Sequence, residues 1–208
     1  EQARVILAEN ESTSEEILVH FAKKGTPTIR ESLAENPVIN TETQRYLLET
    51  GGDDIKNALA RNIRLLDAIQ IELARDSNWR TRWHLAKNQN ICDRVQEILA
   101  SDDDVDVRAA LAENDLLLEK YINLWICDED YKVRSGLAKN RNLNKNQILV
   151  LADDLRQEVQ KSLAGNPVLT DSLQSHLLRK RVDDIDVELA RNKSLAVALQ
   201  AELAQYNN

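Results

Sequence analysis

One sequence pattern, repeated eight times at a constant spacing, constrains the fold of this chain more than any other feature. The tetrapeptide Leu-Ala-x-Asn recurs every 26 residues without an insertion, and eight repeats account for all 208 residues. A fixed period of this length is typical of a solenoid, in which each repeat packs mainly on its two neighbours. We therefore predict a single repeat domain over 1–208, divided into 1–26, 27–52, 53–78, 79–104, 105–130, 131–156, 157–182 and 183–208.

Apolar positions within each repeat follow the spacing of two short helices. If the Asn is numbered position 10, positions 3, 7 and 8 are apolar at the spacing of one helical face, with Thr81 the exception at position 3. Positions 13, 17 and 21 form a second apolar stripe. We expect helix A over positions 2–9 and helix B over positions 14–23, and hence an all-α fold. Ser14 and Thr170, with which helix B begins in repeats 1 and 7, are expected to cap its first free N–H groups.

The asparagine at position 10 is the same in every repeat. It follows helix A directly, and Asn tolerates the left-handed backbone that often ends a helix. Gly would serve that backbone need as well but never occurs at this position. We therefore expect a structural ladder in which the side-chain amides bond main-chain groups of the turn, the alternative being a polar row that reads a ligand. The members are Asn10, Asn36, Asn62, Asn88, Asn114, Asn140, Asn166 and Asn192.

Position 4 is basic in the first six repeats and has two interpretations. An acid lies six residues before three of these bases, which predicts a structural Asp–Arg ladder along the turns. The alternative is a basic row that binds nucleic-acid phosphates. We favour the ladder, because the net charge is −8 and phosphate binding needs concentrated Lys and Arg. The expected pairs are Asp76 with Arg82, Asp102 with Arg108, and Asp128 with Arg134.

The sequence contains no recognisable catalytic, metal-binding or cofactor-binding pattern. The histidines His20, His84 and His176 do not stand at metal-ligand spacing with other ligands, and there is no phosphate-binding Gly loop or nucleophile elbow. We expect neither an enzyme nor a cofactor. No apolar run is long enough to cross a membrane, and the start does not resemble a signal peptide. A cytoplasmic protein with unpaired Cys92 and Cys127 is the expectation, and the lack of an initiator Met suggests a segment of a longer protein.

The best candidate for a binding site lies on the outer face of helix A in the middle repeats. Positions 1 and 5 are one turn apart and point away from the apolar stripe, and repeat 4 has Trp79 and Trp83 there. Arg82 lies between them, and Val105 and Tyr131 follow at position 1 of the next two repeats. These five residues predict a hot spot for binding. The alternative is that the two tryptophans cover the seam with repeat 3.

The string Asp-x-x-x-x-Val-Arg-x-x-Leu-Ala-x-Asn at 102–114 and 128–140 resembles the leucine-rich repeat variant family of bacteria. The Asp–Arg spacing is also similar to that of HEAT repeats. The resemblance covers the whole chain and implies a right-handed superhelix with two short helices per repeat, one of them either α or 3₁₀. The typical unit of the family has about 24 residues, so the longer repeat leaves room for both helices to be α. Some relatives carry an iron–sulfur cluster on N-terminal cysteines, which this chain lacks.

Three functional hypotheses follow. The first is a non-catalytic scaffold that binds an unknown protein or peptide along the helix A surface, centred on repeats 4 to 6. The second is a nucleic-acid binder that uses the basic row at position 4, and the third is a regulatory segment of a larger enzyme. The terminal repeats are apolar at Ile6 and Phe21 and at Leu199 and Leu203, which predicts end-to-end self-association or further neighbouring repeats.

Overall fold

The computed structural model describes residues 1–205, in which sixteen α-helices and no strands are found. Each repeat contributes two helices, and both are α rather than 3₁₀ throughout the described range. The prediction of an all-α array of two-helix repeats is therefore confirmed. The last three positions of repeat 8 lie outside the described residues.

The odd-numbered helices correspond to helix A: α1 (Gln2–Glu9), α3 (Pro27–Glu35), α5 (Asp53–Arg61), α7 (Trp79–Ala86), α9 (Val105–Glu113), α11 (Tyr131–Lys139), α13 (Gln157–Ala164) and α15 (Asp183–Arg191). The even-numbered helices correspond to helix B: α2 (Glu15–Lys24), α4 (Thr41–Thr50), α6 (Asp67–Leu73), α8 (Asp93–Leu99), α10 (Glu119–Trp125), α12 (Lys145–Ala152), α14 (Asp171–Leu178) and α16 (Val197–Gln205).

The chain divides into two compact units, an N-terminal unit, Glu1–Arg108, and a C-terminal unit, Ala109–Asn208. In the N-terminal unit α1, α3, α5 and α7 pack in succession, and so do α2, α4, α6 and α8. In the C-terminal unit α11 packs on α13 and α13 on α15, with α12 on α14. This nearest-neighbour packing is that of an α-solenoid. The single domain and the handedness of the superhelix stay predictions.

Two invariant positions of helix A form the core and are covered from opposite sides. The position 7 leucine is fully buried from Leu33 onwards but is 41% exposed at Leu7, which has no repeat before it in this structure. The position 8 alanine is fully buried in the first seven repeats and exposed at Ala190 in the eighth. Within each unit the leucine thus packs towards the preceding repeat and the alanine towards the following one. End-to-end self-association through such exposed faces stays a prediction.

The exceptions to the apolar pattern have local partners. Thr81 takes an apolar position yet is fully buried, and its hydroxyl donates a hydrogen bond of 2.9 Å to Asn57 Oδ1. Thr13 likewise donates from Oγ1 to the main-chain oxygen of Leu7 at 2.7 Å. Because a buried hydroxyl without a partner is unfavourable, Thr81 depends on the asparagine of the repeat before it.

The predicted caps of helix B are wrong at Ser14 and Thr170. Both residues have the extended backbone of an N-cap, but neither side chain accepts a hydrogen bond from a main-chain N–H of the helix. Caps do occur at Asn40, whose Oδ1 accepts from Thr43 N at 2.8 Å, and at Asn144, which forms a reciprocal capping box with Gln147. Amide side chains therefore cap helix B at Asn40 and Asn144, whereas the hydroxyl groups of Ser14 and Thr170 do not cap it.

Helices α9 and α11 approach closely at Gly136. A Cβ atom on Gly136 would lie 2.3 Å from the main-chain oxygen of Ala109 and 3.1 Å from Ala112 Cβ. Gly165, in contrast, has right-handed backbone angles, and the nearest atom to its added Cβ would be 3.7 Å away. The first glycine is therefore required by packing, and the second is not.

We expect Gly136→Ala to lower the free energy of unfolding by about 1–3 kcal/mol, because the overpacking outweighs the helix propensity gained. Gly165→Ala is the matched control and should raise it by up to about 1 kcal/mol by restricting the unfolded chain. Urea denaturation followed by circular dichroism measures both. Equal midpoints for the two variants would contradict the close approach of α9 and α11.

Candidate binding surface

The position 10 asparagines bond the main chain of two repeats at once. Asn62 is fully buried, and its Nδ2 donates to the main-chain oxygens of Ala34 and Asn36 in the repeat before, both at 2.9 Å. Its Oδ1 accepts from Arg64 N in its own turn at 2.8 Å. Equivalent bonds are formed by Asn36, Asn88, Asn140, Asn166 and Asn192. These contacts confirm the predicted asparagine ladder within each unit.

The backbone of the ladder residues differs from the prediction. Asn62 has φ −67° and ψ 118°, which is extended rather than left-handed, and among residues 1–205 Arg181 is the one non-glycine residue with a positive φ. The left-handed turn predicted at Asn is therefore wrong. Position 10 excludes Gly because the amide makes three bonds, not because the backbone needs a special conformation.

Asn10 and Asn114 also bond their own turns. Asn10 Oδ1 accepts from Ser12 N, and Asn114 Oδ1 accepts from Leu116 N.

Replacing Asn62 with Ala should lower the free energy of unfolding by about 2–4 kcal/mol, because two buried carbonyl groups and one N–H lose their partner. The matched control is Asn10→Ala, since Asn10 is exposed and its Oδ1 bonds Ser12 N. We expect a change below about 1 kcal/mol there. Thermal and urea denaturation measure the stability of both variants. An equal decrease in the free energy of unfolding for Asn62→Ala and Asn10→Ala would contradict a role for the ladder between repeats.

The basic residues at position 4 bond acids, but not in the predicted register. Arg82 holds both carboxylate oxygens of Asp102, twenty residues later, at 2.6 and 3.0 Å. Its Nη1 donates to the main-chain oxygen of Asp76 at 2.7 Å. Arg134 bonds Asp154 and the main-chain oxygen of Asp128 in the same way.

The aspartate six residues before each arginine thus contributes its carbonyl group rather than its carboxylate. Arg108 also donates to the main-chain oxygen of Asp102, at 2.6 Å. The carboxylate of Asp76 bonds Lys56 at 2.7 Å. Asp76 and Arg82, Asp102 and Arg108, and Asp128 and Arg134 are therefore in contact along the turns, but through the main-chain carbonyl of the aspartate and not through its carboxylate. Arg82 and Arg134 each join the turn before their repeat to the turn that ends it.

These ion pairs neutralise much of the basic row. The side chains of Arg82 and Arg134 are 17% and 14% exposed, and their aspartate partners are almost buried. Burial raises the pKa of the Asp154 carboxyl, but hydrogen bonds from Arg134 and from Arg156 N–H outweigh it, so the pKa lies below its ordinary value of 3.8. Arg82 and Arg134 are therefore poorly placed to bind phosphates.

The lowered pKa makes the Arg134–Asp154 pair sensitive to acid. A carboxyl whose pKa is lower in the folded than in the unfolded state stabilises the fold above the unfolded pKa, and this contribution is lost as pH falls through the folded pKa. Asp154→Asn should lower the free energy of unfolding by about 2 kcal/mol at pH 7, with the difference from wild type shrinking below pH 3.8. The adjacent Asp153→Asn, at an exposed ion pair, should change little. If Asp154→Asn lowered the free energy of unfolding by the same amount at pH 7 and below pH 3.8, the Arg134–Asp154 ion pair would not be the source of the stabilisation.

A second ladder of buried amides lies on helix B and was not predicted. Gln70 donates from Nε2 to the main-chain oxygens of Leu65 and Asn90, both at 2.9 Å, and its Oε1 accepts from Cys92 N at 2.9 Å. Gln44 and Gln174 form equivalent bonds. The sequence signal was a glutamine at position 18 in five of eight repeats, inside an apolar stripe.

The two tryptophans of repeat 4 lie on α7 in the N-terminal unit. Trp79 is 37% exposed, and Trp83 is half-buried with its ring edge-on to His84 at 4.9 Å between centroids. The guanidinium of Arg80 lies 4.9 Å from the centroid of Trp79, and Lys87 Nζ lies 4.7 Å from that of Trp83. Each ring therefore has a cation over one face, a favourable arrangement for aromatic rings.

The other predicted site residues have different surroundings. Arg82 bonds the carboxylate of Asp102 as described. Val105 is half-buried at the start of α9 in the N-terminal unit. Tyr131 is half-buried in the C-terminal unit, where the guanidinium of Arg156 lies 5.2 Å from its ring centroid. The binding roles of Trp79, Trp83, Val105 and Tyr131 stay predictions.

His84 lies beside the tryptophans and remains neutral near pH 7. Burial lowers the pKa of His84 below its ordinary value of 6.5, and the neighbouring charge of Arg61 lowers the pKa further. Arg61 Nη1 lies 3.4 Å from His84 Nε2, and Arg61 Nε donates to Glu35 at 2.9 Å. The charge on this part of α7 therefore comes from Arg80 and Lys87.

Within residues 1–205 no cluster of three His, Cys, Asp or Glu side chains could hold a metal ion. None of the helices described combines the length and apolar character needed to cross a bilayer. Cys92 and Cys127 are free thiols. A scan against protein-family models and a search of curated proteins both find no match to this chain. The resemblance to the leucine-rich repeat variant family therefore stays a prediction.

Alanine substitutions distinguish a surface tryptophan from a packing one. We expect Trp125→Ala, at a core residue that is 3% exposed, to lower the free energy of unfolding by about 3–5 kcal/mol. Trp79→Ala and Trp83→Ala should each lower it by less than about 2 kcal/mol. Thermal denaturation gives the comparison, and a loss at Trp83 as large as that at Trp125 would show that Trp83 serves packing.

Proposed function

We propose that this chain is a non-catalytic repeat scaffold that binds a protein or peptide on α7. The observation that carries the proposal is the pair Trp79 and Trp83, one turn apart and partly exposed, whereas Trp125 is buried in the core. Tryptophan is enriched among the residues that dominate binding energy at interfaces. A partly exposed ring also loses further solvent contact when a partner covers it, which favours association.

We further propose that the repeat belongs to the leucine-rich repeat variant class, with a HEAT-like layout. The support is the eightfold Leu-Ala-x-Asn motif, the α-helix pair in each repeat and the Arg–Asp bonds along the turns. The alternative function as a nucleic-acid binder is less well supported, because Arg82 and Arg134 of the basic row are bonded to carboxylates.

A selection from a random displayed peptide library tests the binding function. The wild-type protein is the bait, and the affinities of enriched peptides are then measured by fluorescence polarisation against wild type, a Trp79→Ala/Trp83→Ala variant and a control. The control is Leu149→Ala/Val150→Ala, which removes two exposed apolar residues from α12.

The proposal expects enriched peptides whose affinity falls roughly thirtyfold or more in the double tryptophan variant, since hot-spot truncation costs about 2 kcal/mol or more. The control should bind as wild type does. Enrichment of no peptide, or equal affinity for the tryptophan variant and wild type, would contradict the proposal. Circular dichroism of each variant first establishes that it is folded.

A further inference from the structure

The segment around the tryptophans differs in charge from the rest of the chain. Positions 79–87 contain three Lys or Arg residues and no acid, whereas the chain has 35 acidic and 27 basic residues. Arg82 is bonded to Asp102. Arg80 and Lys87 lie instead over tryptophan rings, and within residues 1–205 neither forms an ion pair with a carboxylate. Two cations at this surface are therefore available to a partner.

These cations and the tryptophans share one face of α7. At 100° per residue, Trp79, Trp83, Lys87 and Arg80 fall within an arc of about 100°. We call these four residues the aromatic–basic stripe. Arg80 and Lys87 are two turns apart, which corresponds to roughly 10 Å along the helix axis. The stripe thus presents two apolar rings together with two positive charges at a defined spacing.

Acidic residues lie on both sides of the stripe. Asn78 Nδ2 donates to Asp53 Oδ2 at 2.9 Å, which brings the start of α5, with Asp53 and Asp54, close to Trp79. The Arg82–Asp102 bond brings the turn before α9, with Asp103 and Asp104, close to the other side of α7. A longer anion bound along the stripe would therefore meet carboxylates on either side.

We propose that the partner of the aromatic–basic stripe is a short acidic segment of a protein, with apolar side chains against Trp79 and Trp83 and carboxylates at Arg80 and Lys87. This inference rests on the proposed function and names its partner class. Charge complementarity of this kind determines which partners associate. A nucleic acid fits less well, because its phosphates continue past the stripe and because one face of each ring is already covered by a cation, where a base would stack.

The test uses the peptides that depend on Trp79 and Trp83 in the library selection. Their affinities are measured by fluorescence polarisation for wild type, for Arg80→Gln/Lys87→Gln and for the charge-matched control Arg75→Gln/Arg94→Gln. A fluorescein-labelled oligothymidine of twelve nucleotides is the second probe. Each titration is repeated at low and high salt, because exposed ion pairs are screened.

We expect these peptides to contain more Asp and Glu than Lys and Arg. Their affinity should fall roughly fivefold to twentyfold in Arg80→Gln/Lys87→Gln, since two exposed ion pairs are lost, and should not change in the control. Neutral or basic peptides, or an unchanged affinity, would overturn the acidic partner while leaving the binding function intact. Oligothymidine that binds as tightly as the best peptide through Arg80 and Lys87 would also overturn it. If no peptide depends on the tryptophans, both proposals fail.

Discussion

The side-chain amide at position 10 is the interaction on which the rest of this repeat structure depends. Each helix has ten residues or fewer, too short to be stable alone, so every repeat requires its neighbours. Packing of leucine and alanine provides the apolar contact but is not directional. The asparagine adds direction, because its three bonds fit only when the turn of one repeat lies against the end of helix A in the repeat before.

Two further polar sets reinforce the same geometry from other sides of the repeat. Arg82 and Arg134 at position 4 each join two successive turns through a carboxylate and a carbonyl group. The glutamines at position 18 bond the start of the next helix B. In repeat 5, where Ile122 replaces glutamine, Asn144 N–H is instead bonded by Gln147 Oε1. Lys56, Arg82 and Arg134 of the position 4 row are bonded to carboxylates. Arg80 and Lys87, which lie over the tryptophan rings, are therefore the cations at α7 that are available for binding.

The repeat made much of the fold predictable, because eight aligned copies separate the invariant positions from the variable ones. The helix bounds and the role of Asn62 followed from the periodic pattern. The partner of Arg82 did not, since Asp76 and Asp102 are equally plausible in sequence and only the stacking of turns decides between them. Gln70 was missed because a polar residue in an apolar stripe looks like an exception until its bonds are seen. Arg80 and Lys87 were missed because their position over the rings depends on side-chain conformation.

Native-state hydrogen exchange tests the central claim, that the asparagine amides hold the turns between repeats. The N–H groups of Arg64 and Asn90 are bonded to Asn62 and Asn88 at 2.8 and 2.9 Å. The preceding N–H groups of Ile63 and Gln89 form no hydrogen bond within the described residues. Since both members of each pair lie in one turn, opening of a whole repeat exposes them equally. We expect Arg64 and Asn90 to exchange roughly a hundredfold or more slowly than Ile63 and Gln89. Equal exchange rates within each pair would contradict the account.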